Sequence, residues 1–285
     1  MSLHVKRYEY AGTGGSGAPL LLIHGWGMHG GMWDGVAEQL AQNFNVYAVD
    51  LPGHGYSRGQ RADVGWVERS DTHHVPNVEG DGYRCAQPIL RDIVDALSVQ
   101  FDEPLTVCGW SMGGQIALHW AMREPEKIKR LVLVTSTPCF AERDDWQFGM
   151  PQHTLLQFAA DLEKNHAATL RRFLGLQVRG SEGERELLAT LCESLFSHGE
   201  PDLGALRGGL DILRDCDLRS ALPDIKQPVL VVAGEKDMIT PPQASQYLAG
   251  RLPDARLVTI RGAAHVPFLS HTEEFTEHVK NFFNE

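Results

Sequence analysis

Long apolar runs are missing from this chain. Its apolar stretches are strand-sized, well short of the ~20 residues that a membrane-spanning helix needs, and the first ten residues carry Lys6 and Arg7 with no apolar segment behind them. Neither a cleaved leader nor a membrane anchor is expected. Positive charge is also short: 26 Lys and Arg stand against 37 Asp and Glu, a formal charge of −11. Without a broad basic field, nucleic acid and anionic membranes are excluded as expected partners. The five cysteines, Cys85, Cys108, Cys139, Cys192 and Cys216, are odd in number, widely spaced and free of any Cys-x-x-Cys pair. Reduced thiols in a cytoplasmic protein fit them better than a disulfide frame or a zinc site. Internal repeats and low-complexity tracts are absent.

The 285 residues, 42% of them apolar, suffice for one or two domains with a sizeable core. Short apolar runs bounded by turn residues recur at 20–23, 46–49, 105–108, 131–134, 229–232 and 257–260. Helical periodicity lies between several of them, at 89–97 and 115–122. Strands alternating with helices predict an α/β fold with a mostly parallel central sheet flanked by helices. The run 4–10 alternates polar and apolar residues and reads as an antiparallel edge strand.

Two stretches interrupt that rhythm. Over 138–222 the strand signal vanishes and helical patterns occupy 155–162, 170–176 and 186–195, which predicts a helical cap inserted into a core formed by 1–137 and 223–285. Over 59–87 Gly, Asp and His are scattered without period, an irregular insertion.

Gly109-Trp110-Ser111-Met112-Gly113 follows the apolar run 105–108 and precedes a helical pattern. A serine on a tight strand-to-helix turn is held in a strained backbone, and flanking glycines remove the Cβ atoms that would collide with strand and helix. Ser111 is therefore the candidate nucleophile. A serine hydroxyl needs a base to take its proton and a carboxylate to orient that base. Asp237 follows the run 229–232 and His265 follows the run 257–260, in the order Ser, Asp, His that such an elbow uses. Glu235, two residues from Asp237, is the alternative acid, and motif context favours Asp237. His24-Gly25-Trp26-Gly27 follows the first parallel strand, so the main-chain N–H groups of Trp26 and Met112 are the expected oxyanion hole. Asp50-Leu51-Pro52-Gly53-His54-Gly55 reads as a scaffold turn. His73, His74 and Asp71 lack metal-ligand spacing, and no metal or cofactor is expected.

With these residues in place the chain resembles the α/β-hydrolase superfamily along nearly its whole length. Within it the chain is most similar to the pimeloyl-[acyl-carrier protein] methyl ester esterases of biotin biosynthesis. The finer likeness rests on His24-Gly25-Trp26-Gly27, Gly109-Trp110-Ser111-Met112-Gly113-Gly114, Ser136-Thr137-Pro138-Cys139-Phe140, Gly208-Gly209-Leu210-Asp211-Ile212-Leu213 and Ala264-His265-Val266-Pro267-Phe268. The resemblance implies a serine carboxylesterase that cleaves a methyl ester from a dicarboxylic acyl chain carried on an acyl-carrier protein. It also implies that Trp26, Trp110 and Phe173 contact the acyl chain. Arg172 and Arg185 match positions where such enzymes face the carrier. Two further arginine positions hold Ala168 and Ala189 here, with Arg171 as a substitute. The insertion over 59–87 departs from the family's shorter connection, and part of it, 64–70, resembles translated interspersed repeats. A monomer is expected. A general carboxylesterase for small soluble esters and a non-catalytic ligand receptor on the same fold are the competing readings.

Overall fold

The computed structural model describes residues 3–12, 17–59 and 87–284. The irregular insertion expected over 59–87 lies outside the described residues except at its ends, as do Cys85, Asp71, His73 and His74.

Among the described residues seven strands form one sheet: β1 (Val5–Tyr8), β2 (Pro19–Ile23), β3 (Asn45–Val49), β4 (Leu105–Trp110), β5 (Ile128–Val134), β6 (Val229–Gly234) and β7 (Ala255–Ile260), in the spatial order β1-β3-β2-β4-β5-β6-β7. Only β1 is antiparallel, pairing Val5 with Val49 and Tyr8 with Val46. The inner strands are near-continuous apolar runs because both of their faces are covered by helices, so no alternation is called for. Every residue of β4 and β6 is buried. At the edge, β1 places Lys6 and Arg7 toward solvent, which discourages pairing with a further strand.

The covering helices are α1 (Asp34–Leu40), α2 (Gln87–Ser98), α3 (Met112–Arg123), α8 (Pro242–Arg251), α9 (Pro267–Ser270) and α10 (Thr272–Phe283). Between β5 and β6 the chain instead forms α4 (Gln152–Lys164), α5 (His166–Val178), α6 (Glu184–Ser194) and α7 (Leu203–Asp215). The last of these has no counterpart among the sequence expectations. Its Gly204, Gly208 and Gly209 lower helix propensity by ~1 kcal/mol each relative to alanine, and packing of its buried Leu206, Leu210, Ile212 and Leu213 overrides that deficit.

The segments leading into α4 and out of α7 run side by side. Cys139 pairs antiparallel with Asp217, and Leu218 N donates to Pro138 O over 2.8 Å. Arg219 ties the junction by bonding Asp217 and Asp145 while its guanidinium lies over the Trp146 ring.

Strand order reverses about β2, since β3 lies on one side of it and β4 on the other. In open α/β sheets such a switch point opens a crevice at the carboxyl ends of the strands. The turns after β2 and β4 meet there. Among the described residues no helix is long and apolar enough to cross a membrane.

Candidate active site

Ser111 is the first residue beyond β4 and has φ 56° and ψ −117°. A non-glycine residue there is strained, and the surroundings must hold it. They do so through three bonds. Ser111 N donates to Val134 O over 2.9 Å, Gly114 N donates to Ser111 O over 2.9 Å, and the Ser136 hydroxyl donates to the same carbonyl over 2.8 Å. The neighbouring glycines have no room for a side chain: a Cβ on Gly109 would lie 2.3 Å from Gly113 O, and one on Gly113 would lie 2.5 Å from Ile23 O.

Asp237 sits in the turn after β6 and His265 in the turn after β7. His265 Nδ1–H donates to Asp237 Oδ2 over 2.8 Å. The carboxylate also receives the N–H groups of Ile239 and Thr240 on Oδ1, at 2.9 and 3.0 Å, and the Thr240 hydroxyl on Oδ2 at 2.8 Å. Four donors converge on its two oxygens and fix the carboxyl in one orientation. Glu235 is differently placed. Its carboxylate accepts from Gly262 N over 3.0 Å, a bond that holds its pKa below the usual range, and it makes no bond to His265.

With Nδ1 turned to the carboxylate, Nε2 of His265 is the nitrogen left to exchange a proton. It is buried and makes no hydrogen bond to any described residue, Ser111 included. Such bonds are often long before substrate enters and tighten in the reacting complex. The imidazole is fixed from behind by its own main chain: His265 O accepts the Trp110 indole N–H and the Thr135 hydroxyl, each at 2.9 Å, and His265 N donates to Gln177 O of α5 over 2.9 Å.

Trp110 is fully buried, packs against Phe268 and Trp33, and supports the main chain of His265. Trp26 and Phe173 do come together, edge to face with ring centroids 5.4 Å apart, and Phe158 of α4 completes a three-ring group that sequence inspection did not single out. Trp26 Nε1 donates to Leu206 O of α7 over 2.8 Å, tying the turn after β2 to the four-helix segment. The main-chain N–H groups of Trp26 and Met112 donate to no other described residue, so both are free to bind an anionic oxygen.

The arginines divide. Arg172 is engaged by Asp161 at 2.6 Å and lies over the Phe158 ring. Arg171 lies over the Phe196 ring. Arg185 is exposed and has no ion pair with any described residue.

A second polar group, unforeseen from the sequence, surrounds Asp50. The turn 50–55 braces the fold here, as its carboxylate accepts from Gly30 N at 2.6 Å and Tyr56 N at 2.9 Å. His29 and His198 lie near enough for their ligand atoms and that of Asp50 to fall within 4.8 Å of one another. Both ring nitrogens of His29 are already used, Nε2–H toward Ser194 O and Nδ1 as acceptor from Gly31 N. A cation there would have to break one of those bonds. His24 is likewise committed, accepting from Leu51 N and donating to Gly25 O.

The alpha/beta hydrolase fold model matches residues 18–272. The chain belongs to the α/β-hydrolase family. Among curated proteins it is 40% identical over 274 residues, 96% of each chain, to the pimeloyl-[acyl-carrier protein] methyl ester esterase of Nitrosomonas europaea. It is 38% identical to the protein of the same name from Chromobacterium violaceum, covering 92% of this chain and 93% of that one. Among solved structures, an esterase from Exiguobacterium antarcticum superposes with a TM-score of 0.78 at 23% identity over 99% of this chain and 96% of its own, a likeness of fold.

Proposed function

We propose that the chain is a serine carboxylesterase that hydrolyses pimeloyl-[acyl-carrier protein] methyl ester to pimeloyl-[acyl-carrier protein] and methanol, a step of biotin biosynthesis. The observation that carries the chemistry is the Asp237 and His265 pair, whose buried Nε2 bonds no described residue, together with a strained serine at the end of β4. Near full-length identity to proteins of that name supports the substrate.

Ser111 Oγ attacks the ester carbonyl as His265 Nε2 takes its proton, and the carbonyl oxygen becomes an oxyanion held by the N–H groups of Trp26 and Met112. The C–O bond to the methoxy group breaks, and methanol leaves with the proton from His265. Water, deprotonated by the same nitrogen, then attacks the acyl carbon, the bond from that carbon to Ser111 Oγ breaks, and Oγ takes the proton back from His265 as the carboxylate product leaves. Asp237 keeps the ring in the right tautomer and balances the imidazolium. Residues 138–222 act as a cap over a core formed by 1–137 and 223–285, and the rings of Trp26, Phe158 and Phe173 offer an apolar wall to the acyl chain.

The partner is the acyl-carrier protein, docked through Arg171, Arg172 and Arg185. The reading is tested by comparing demethylation of methyl pimeloyl-carrier protein with that of a short soluble methyl ester at equal concentration. A faster carrier-linked reaction is expected. Equal or slower turnover favours the general carboxylesterase, a reading to which the Arg172–Asp161 pair lends support because it uses a docking charge internally.

A further inference from the structure

Ser111 and Thr135 are the two non-glycine residues with positive φ among those described, at 56° and 40°. They are also neighbours in register. Trp110 of β4 pairs with Val134 of β5, so each strained residue is the first beyond its strand. The strain of Ser111 belongs to the nucleophile elbow. That of Thr135 has no role in the mechanism given above, and a β-branched residue in this region is disfavoured unless the surroundings compel it.

The bonds of the Thr135 and Ser136 turn account for it. Thr135 N continues the sheet by donating to Val232 O of β6 over 2.7 Å. The Thr135 hydroxyl donates to His265 O over 2.9 Å. Thr135 O lies 2.9 Å from the Thr240 hydroxyl, which also meets Asp237 Oδ2 at 2.8 Å. That hydroxyl has one proton for two acceptors, and the carboxylate is the stronger of them. The Ser136 hydroxyl donates to Ser111 O over 2.8 Å. One two-residue turn, buried throughout, thus touches the main chain of the nucleophile, the main chain of the base, and the threonine that caps the acid.

We propose that the Thr135 and Ser136 turn is the positioning element of the active site, holding the three strand-end loops in one mutual register, with Thr135 as its key residue. The proposal rests on the serine-esterase reading. β5 lies between β4, which carries Ser111, and β6, which carries Asp237, so a turn at its carboxyl end borders both of those loops, and the Thr135 hydroxyl extends to the loop after β7. Neither residue touches the reacting atoms, so each acts through those it holds.

The test uses Thr135→Val, which keeps the branched shape and removes the hydroxyl, Thr135→Ser, which keeps the hydroxyl, and Ser136→Ala. Each is assayed with a short p-nitrophenyl ester and with a fluorophosphonate that labels an activated serine, read by intact mass. In the wild type Ser111 is expected to be labelled. Thr135→Val is expected to lower kcat per labelled site and the labelling rate by roughly tenfold, with KM within about twofold, as misplacement of a base does. Thr135→Ser is expected to recover most of both rates, and Ser136→Ala to slow labelling several-fold. Should Thr135→Val not fold, the Ser136→Ala labelling rate decides alone. A labelled wild type with variants that label and turn over at wild-type rates overturns the positioning role and leaves the esterase reading standing. A wild type that hydrolyses esters without labelling at Ser111 overturns both.

Discussion

His265 Nδ1–H donates to Asp237 Oδ2 over 2.8 Å, and neither residue is more than 4% exposed. The bond selects the tautomer that leaves a lone pair on Nε2, and burial keeps water from competing for either partner. Asp237 is therefore the acid that bonds the imidazole. Glu235 faces Gly262 N instead.

Asp237→Asn should lower kcat by roughly 10³- to 10⁴-fold, because an amide offers His265 the wrong hydrogen-bonding partner and turns the ring's lone pair away. Glu235→Gln should change kcat by less than about threefold, on the same argument. Steady-state hydrolysis of a p-nitrophenyl ester by both variants separates the two acids, and the reverse order of losses would assign the role to Glu235.

Ser111→Ala and His265→Ala should each remove at least ~10³-fold of esterase activity, and the double variant should lose hardly more than either alone, since the residues act as a unit. Circular dichroism should find the fold intact in all three. A double variant whose loss equals the product of the single losses would mean that the two residues act independently.

Gly209 faces the turn after β2. A Cβ there would lie 2.4 Å from Trp26 Cδ1 and 3.2 Å from Met112 Sδ. Gly→Ala inside a helix ordinarily adds up to ~1 kcal/mol of stability, but this methyl must push the indole aside, an overpacking cost of about 1–3 kcal/mol. Gly209→Ala should therefore lower Tm and kcat/KM together. Gly175→Ala in α5, where a Cβ meets nothing within 4 Å, should raise Tm by a few degrees with kcat/KM unchanged. Thermal melts and kinetics of the pair check both signs.

Burial lowers the His24 imidazole from 6.5 to about 3, aided by the nearby His54. The unfolded chain takes up a proton near 6.5 that the folded chain refuses, so stability falls as the pH drops from about 6.5 toward about 3. Asp50 adds to the lower end of that window. Burial alone would raise its carboxyl, but the Gly30 N–H, His24 and the Tyr56 N–H hold it below the usual range, and what it contributes is lost as the pH falls through its folded value. Urea unfolding of the wild type and of His24→Asn over this range should differ in slope by up to about one proton. Parallel curves would show that His24 protonates without unfolding the chain.

Arg185 is exposed and has no ion pair among the described residues, whereas Arg172 holds Asp161. Arg185→Glu should raise KM for the carrier-linked ester, leave a short soluble ester unaffected and spare Tm, because an exposed charge at a docking rim acts mainly on association. Arg172→Glu should also lower Tm, since it sets two acids together between α4 and α5. Added salt should weaken only the carrier-linked reaction, the charges being screened beyond ~8 Å. Equal effects on both substrates would make the arginines structural.

The sheet was legible because buried parallel strands announce themselves as short apolar runs, and the strand-end positions of Ser111, Asp237 and His265 followed from turns after three of them. Harder to read were residues whose role lies in what they hold. Thr240 had a faint signal, a threonine three residues after an aspartate, the spacing at which a side-chain oxygen caps its own turn. Thr135 had none, since its bonds reach 105 and 130 residues along the chain. The hold of Trp110 on His265 was hidden for the same reason, since its indole bonds a carbonyl 155 residues along the chain.

The paired segments around Cys139 and Asp217 mean that the chain enters and leaves the stretch from α4 to α7 through one short neck, clasped by Arg219. A piece of chain whose two ends lie side by side can be exchanged for another without rethreading the sheet. The exchange must still keep the seams that stitch it to the core, Gln177 O on His265 N and Leu206 O on the Trp26 indole. Transplanting residues 140–215 between relatives is the natural way to move a substrate preference from one hydrolase to another.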